Sequence, residues 1–179
     1  MVRASPDSPI RRFAGPPMKL LRLLFFFVLL AALLLLAAGQ LGLLKGTLPA
    51  DLGVRDGKLR PPSRTDNSVS SQAHLYEGAG AQYARIEPIR FSGDGAAALT
   101  RIGAIVLKMP GARILQSGPD YLYVQFQTRW LKFVDDAEFS VDPAASVIHV
   151  RSAARIGRKD FGVNRARIES IRAAFATTP

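Results

Sequence analysis

From Leu23 to Leu44 the chain runs 22 positions with Gln40 as its one strongly polar residue. At about 1.5 Å of rise per helical residue the run reaches roughly 33 Å, enough to cross a hydrocarbon layer of about 30 Å. Arg3, Arg11, Arg12, Lys19 and Arg22 precede or open it, against one acid, Asp7. That asymmetry predicts a cytoplasmic N-terminus and export of everything after Lys45. The expectation is a single-pass signal anchor over 19–45 in a bacterial inner membrane, behind a disordered cytoplasmic tail over 1–18 rich in Pro, Ser and Arg. A cleaved signal peptide is the rival reading. Its apolar region is usually about 7–15 residues long and ends at a small-residue site. Here Leu23–Ala38 alone is 16 residues, and Leu36-Ala37-Ala38-Gly39 puts Leu where a small residue is wanted. A buried helix of a soluble core is the third and weakest reading. Both main readings export the rest of the chain to the periplasm.

The exported part, Lys45–Pro179, is the size of one ordinary domain and carries 19 Lys/Arg against 13 Asp/Glu, a net charge of +6. A basic exported domain suits anionic lipid headgroups or polyanionic envelope polymers, and scattered solvated Arg is the plain alternative. Nucleic acid is not an expected partner, since it calls for a basic stripe with interleaved aromatics and a different compartment. The chain has no cysteine, which removes lipidation, disulfides, thiol nucleophiles and Cys-based metal sites together. Such a domain must be held by its own core.

Residues 46–80 contain Pro49, Pro61, Pro62 and many Gly, Ser, Asp and Asn with no sustained period, and read as an extended linker and lead-in segment. A stretch of this kind can lie across a sheet edge. The α+β domain is expected over 81–179. Tyr83–Phe91 reads as a strand with Pro88 at an edge or bulge. Asp94 caps a helix over Gly95–Lys108, with Leu99, Ile102, Gly103 and Val106 on one face and Pro110-Gly111 as its stop. Strands follow over Ala112–Gln116, Tyr121–Lys132, Phe133–Val141 and Ser146–Arg155, with turns at Gly118-Pro119-Asp120 and Asp142-Pro143. A helix over Asn164–Phe175 closes the chain. The order β-α-β-β-β-β-α implies an antiparallel sheet covered on one face by two helices. A helix-grip-like sheet around an apolar cavity is a compatible arrangement by analogy.

Charge is densest near the end. Alternation along Phe133–Val141 places Asp135 on a row with Phe133, Ala137, Phe139 and Val141, and places Asp136 and Glu138 on the other face with Val134. A carboxylate on an inward row needs a partner, and Arg151, Arg155, Arg165 and Arg167 are at hand. An ion-pair network locking the last strands to the final helix is the first reading. A site for an anionic or polar ligand is the second, and acid/base work by Asp135, Asp136 or Glu138 the third. Gly157 and Gly162 bracket a loop into the last helix, whose N-terminal amides can hold an anion or simply start the helix at an Asn164 cap. On the preceding strand Leu122, Val124, Phe126, Thr128 and Trp130 read as core. Tyr121, Tyr123, Gln125, Gln127 and Arg129 form an amphipathic row that could line a ligand surface or a membrane interface and is by default a solvated face.

Other chemistries have thinner support. Ser63, Ser68, Ser70 or Ser71 with His74 or His149 and an Asp contain the parts of a nucleophilic triad, but no G-x-S-x-G elbow is present. Two isolated His residues without H-x-H or H-E-x-x-H spacing give no metal motif, and no phosphate-loop or dinucleotide fingerprint occurs.

The runs Asp135-Asp136-Ala137-Glu138-Phe139, Arg151-Ser152-Ala153-Ala154-Arg155-Ile156-Gly157 and Asp160-Phe161-Gly162-Val163-Asn164-Arg165 resemble the DUF1499 family of uncharacterised bacterial and plant proteins. Upstream, Pro62-Ser63-Arg64-Thr65-Asp66-Asn67-Ser68-Val69-Ser70-Ser71 is similar to that family's Pro/Asn/Cys/Val/Ser/Ser motif. The resemblance covers about 52–175. Ser68 stands where many members carry Cys, which excludes a thiol role, and Arg158-Lys159 replaces a position that often holds an aromatic. The resemblance implies a domain often tethered to membranes and supplies no reaction.

The reading is therefore a non-enzymatic, membrane-tethered envelope domain without a cofactor. It binds a lipid-like, polyanionic or protein partner, with Asp135, Asp136, Glu138, Arg151, Arg155, Asp160, Asn164 and Arg165 as candidate binding residues. The alternative is an envelope hydrolase using Asp135 or Glu138 as acid/base.

Overall fold

The computed structural model describes residues 17–177, so the tail over 1–16 lies outside the described residues. The chain divides into two compact units, one ending at Leu35 and one running from Leu36 onward. Helix α1, Met18–Gln40, is long and apolar enough to cross a membrane, and a signal sequence meets the same criterion. The described residues of the first unit, 17–35, lead into and form this apolar helix, and they are exposed.

The second unit is an α+β domain on a six-stranded antiparallel sheet. Its elements are β1 (Ser68–Ser70), a turn of 3₁₀ helix at Ala73–Leu75, α2 (Ala79–Ala84), β2 (Ile89–Arg90), α3 (Gly95–Val106), β3 (Ala112–Ser117), β4 (Tyr121–Gln127), β5 (Val134–Asp142), β6 (Val147–Ala154) and α4 (Val163–Thr177). The strand order is β1-β6-β5-β4-β3, and β2 pairs with the other end of β6. The four long strands form a meander whose short turns leave antiparallel pairing as the simplest closure. A Cβ at Gly111 would stand 2.1 Å from the Gln127 carbonyl oxygen, and its φ is +74°, so the start of β3 admits no side chain there.

Helix α3 begins as its sequence implies: the Asp94 side chain accepts the Ala97 N–H at 2.8 Å. Leu99, Ile102 and Val106 of α3 and Ile168, Ile171 and Phe175 of α4 pack on Val124, Phe126, Ala137, Phe139, Ile148 and Val150. This face of the sheet holds the main core.

Three expectations are corrected. The strand expected over Tyr121–Lys132 ends at Gln127, so Trp130, expected in the core, lies in the turn beyond it and is 62% exposed. Tyr83–Phe91 is not one strand. Its start belongs to α2, which the chain enters through Gly78 at φ +103°. Only Ile89–Arg90 pairs in the sheet, just after Pro88, which has no N–H to give a ladder. The face of Tyr121 and Tyr123 is not solvated either. Residues 46–64 form a strap across it, and Leu52 and Leu59 pack on both rings, leaving Tyr121 8% and Tyr123 6% exposed. The strap reverses at Asp56-Gly57, with φ +52° and +72°, between reciprocal Arg55 and Lys58 backbone hydrogen bonds of 2.9 and 3.0 Å. The lead-in segment thus supplies both a sheet strand, β1, and a cover, so the domain extends well upstream of residue 81.

Leu59 is 2% exposed beneath the strap, and its N–H donates to Gln72 Oε1 at 2.8 Å. Leu59→Ala is therefore expected to cost about 2–5 kcal/mol, as for a core position. Chemical denaturation of the full chain in detergent measures it; an unchanged midpoint would return the strap to a loose linker.

Candidate functional site

The eight candidate residues fall into two groups, because adjacent residues of a strand point to opposite faces. Asp136, Glu138, Arg151 and Arg155 lie under or beside the strap. Asp135, Asp160, Asn164 and Arg165 lie on the helix side.

On the strap side, register sets Glu138 opposite Arg151 and Asp136 opposite Ala153, two residues before Arg155. Both carboxylates are fully enclosed. Asp136 takes a two-pronged grip from Arg155, with Nε and Nη2 each at 2.8 Å, and accepts the Tyr123 hydroxyl at 2.6 Å. Glu138 accepts the Tyr121 hydroxyl at 2.7 Å and the Gly53 N–H of the strap at 2.8 Å. Burial, followed by the adjacent carboxylates, pushes the Tyr121 phenol far up and the Tyr123 phenol up to about 12, so both stay protonated donors. The hydrogen bonds to Asp136 raise the Arg155 guanidinium above its ordinary value.

Arg151 is the exception in this satisfied layer. It is 2% exposed, and its Nε donates to the Pro61 carbonyl at 3.2 Å. Its Nη1 stands 3.6 Å from Glu138 Oε2, an ion-pair distance, yet neither atom has a hydrogen-bond partner. Burial lowers the affinity of this guanidinium for its proton, and Glu138 opposes that shift.

Arg151 and Arg155 floor a cleft of about 800 Å³ between the two legs of the strap, with Asp136, Ala153 and Asn67 beside them. Arg60 and the exposed Arg64 stand on its rim, where Arg60 is held by Asp51 at 2.8 Å. Four guanidinium groups against the carboxylates of Asp51 and Asp136 leave this lining net positive.

The helix-side group does different work. Asp135 pairs with Arg167 of α4 at 2.7 Å, and the Arg167 guanidinium lies 4.4 Å over the Phe126 ring. Asp160 caps α4: its carboxylate accepts the Gly162 N–H at 3.1 Å, the Asn164 N–H at 3.0 Å, the Asn164 side-chain amide at 2.9 Å and the Tyr83 hydroxyl at 3.0 Å. The anion at this helix N-terminus is thus the chain's own carboxylate, and Asp160, not Asn164, is the cap. Asn164 instead accepts from the Ser152 hydroxyl and from Arg167. Arg165 donates to the carbonyls of Tyr83 and Arg85. All four residues tie α4 to its surroundings.

Ser71 and His149 do meet, with Oγ 3.2 Å from Nδ1, and His149 Nε2 stands 3.7 Å from Asp142 Oδ2. The latter is too long for a hydrogen bond. Ser71 is 6% exposed and accepts the Val150 N–H at 2.9 Å, which extends the β1–β6 ladder. Burial lowers the His149 pKa, and Asp142 offsets part of the shift. Among the described residues no group of three or more His, Asp or Glu could hold a metal ion.

The sequence reading missed Tyr121 and Tyr123 as donors to the two carboxylates, along with Gly53, Pro61, Arg60 and Arg64 of the strap. The tyrosines were visible as a polar-tipped row; no periodic signal marks the strap.

Removing one member of the Glu138–Arg151 pair strands the other. Arg151→Met is expected to cost about 3–5 kcal/mol, and Arg151→Met with Glu138→Leu to recover most of it, as read by denaturant midpoints. A second outcome concerns Asp160. Burial alone would raise its pKa, but the hydrogen bonds from Asn164, Gly162 and Tyr83 outweigh burial and hold it below the ordinary value. A depressed carboxylate stabilises above its unfolded value of about 3.9 and loses that contribution as pH falls through its folded value. Asp160→Asn is therefore expected to be less stable at neutral pH, with the gap to the wild type closing below about pH 4.

Neither the curated proteins nor the solved structures contain a match to this chain. A family described as "Protein of unknown function (DUF1499)" matches residues 58–175, from the second leg of the strap to the end of the α4 core face. That range is well over half of the chain and takes in the whole sheet, so the chain belongs to the DUF1499 family.

Proposed function

We propose that the protein is a membrane-tethered binding module of the bacterial envelope, its N-terminus cytoplasmic and its domain periplasmic, that takes a phosphate- or carboxylate-bearing ligand in the strap cleft. The observation that carries the reading is the arginine lining of the cleft. Arg151 and Arg155 at its floor and Arg60 and Arg64 at its rim outnumber the carboxylates of Asp51 and Asp136, while the enclosed Arg151 Nη1 faces Glu138 Oε2 at 3.6 Å. Arginine at such a position favours planar or tetrahedral oxyanions, which it can grip with more than one N–H. Arg60 and Arg64 at the rim add the field that draws an anion in. A lipid headgroup and an acidic envelope polymer share this chemistry.

The alternative, an envelope hydrolase using Asp135 or Glu138 as acid/base, draws less support. Asp135 is engaged by Arg167, and Glu138 is fully enclosed between Tyr121 and Gly53. A general acid or base needs hydrogen-bond reach to a substrate.

The test is extraction and native mass spectrometry of the full chain purified in mild detergent. Anionic species are expected to co-purify, in the organic phase for a lipid and in the aqueous phase for a polymer fragment or metabolite. Arg64→Ala, at an exposed rim position, is expected to lose them without a change in unfolding midpoint. An empty wild-type protein overturns the reading, and a co-purifying polypeptide in place of a small anion replaces it with a protein partner.

A further inference from the structure

We infer that the turn between β4 and β5, carrying Trp130, seats in the anionic headgroup layer of the membrane and fixes the domain's orientation there. This rests on the membrane-tethered reading above.

Depth comes from the chain itself. Lys19 and Arg22 mark one polar boundary of the apolar helix. About 20 helical residues, at about 1.5 Å each, span the hydrocarbon and bring the chain to its second boundary near Gly39–Gly42. The turn is bound at that level. The Gln40 side-chain amide donates to the Trp130 carbonyl at 2.7 Å. Gly39 is buried against Leu131: a Cβ there would stand 2.7 Å from the Leu131 carbonyl oxygen, so only glycine permits this approach. Residues Leu36–Gln40 belong to the same compact unit as the turn, so these contacts lie within one body.

The composition of the surface suits a headgroup layer better than water. Trp130 is 62% exposed, with Leu41 and Leu43 at 77% and 73% on the adjoining stretch. The Arg129 guanidinium lies 4.9 Å over the indole ring, Lys132 belongs to the same turn, and Lys45 follows Leu43 and Leu44 in sequence. Tryptophan concentrates at membrane–water boundaries, where an apolar ring carries a polar N–H. Arginine and lysine there reach lipid phosphates while their stems stay among the chains. A bare exposed indole has no such cover in solution.

Trp130 is the sole tryptophan of the chain, so its fluorescence reports this position alone. The full chain is reconstituted into phosphatidylglycerol–phosphatidylethanolamine vesicles, and flotation is scored beside quenching. The expected result is flotation with a blue-shifted emission that is shielded from acrylamide. Quenching should be several-fold stronger with lipids brominated close to the headgroup than with lipids brominated near the chain ends. Flotation with water-like emission, open acrylamide quenching and no response to brominated lipid overturns the inference and leaves the tether standing. Failure to float overturns both.

Discussion

A layer of paired charge between sheet and strap is the constraint on which this domain depends. Glu138 and Arg151 face each other across β5 and β6, Asp136 and Arg155 pair at the end of the same strands, and all but the half-buried Arg155 are enclosed beneath the strap. Charges taken from water cost several kcal/mol each unless paired and hydrogen-bonded, so the layer is stable only if nearly every lone pair has a donor. Tyr121, Tyr123, Arg155 and the Gly53 N–H of the strap donate to the two carboxylates, Gln125 donates to the Tyr123 hydroxyl, and the Pro61 carbonyl of the strap accepts from Arg151. The strap is therefore part of the solution to a desolvation problem on the sheet, and the sheet is what gives a proline-rich coil a fixed path.

The two faces of the sheet are held by different physics. The helix face is an ordinary apolar core, built by α3 and α4 on Val124, Phe126, Ala137 and Phe139, in which shape and volume decide the packing. The strap face has one small apolar cluster, Leu52 and Leu59 with the two tyrosine rings, and is otherwise specified by direction and charge. A face that must be polar inside and closed outside is a natural place for a ligand to substitute for part of the cover. The cleft between the strap's legs is where that cover is incomplete.

How much of this could be read from the sequence follows from what periodicity encodes. The hairpins around Gly118-Pro119-Asp120 and Asp142-Pro143 were legible because their turn residues punctuate clear alternation, and α3 because Asp94 and the Leu99/Ile102/Val106 spacing agree. Alternation also put Asp135 and Asp136 on opposite faces. It could not say which arginine each would meet, since that is set by the register of β5 against β6 and by the approach of α4. Candidate residues chosen for closeness in sequence therefore mixed two environments that share a backbone and nothing else. Tyr121 and Tyr123 looked amphipathic enough for water. What buries them is a coil with no period, some 60–70 residues upstream, and nothing local to β4 announces it.

The separation in sequence has a kinetic consequence. Gly53 meets Glu138 across 85 residues and Pro61 meets Arg151 across 90, so the strap gains nothing until β5 and β6 exist. In a chain that emerges N-terminus first, the strap arrives early and docks late. Until it does, the carboxylates and guanidinium groups of the strap face remain hydrated, and the apolar helix face can assemble without a stranded charge. The same ordering run backwards makes the strap the part expected to open first, while the helix-covered core stays folded.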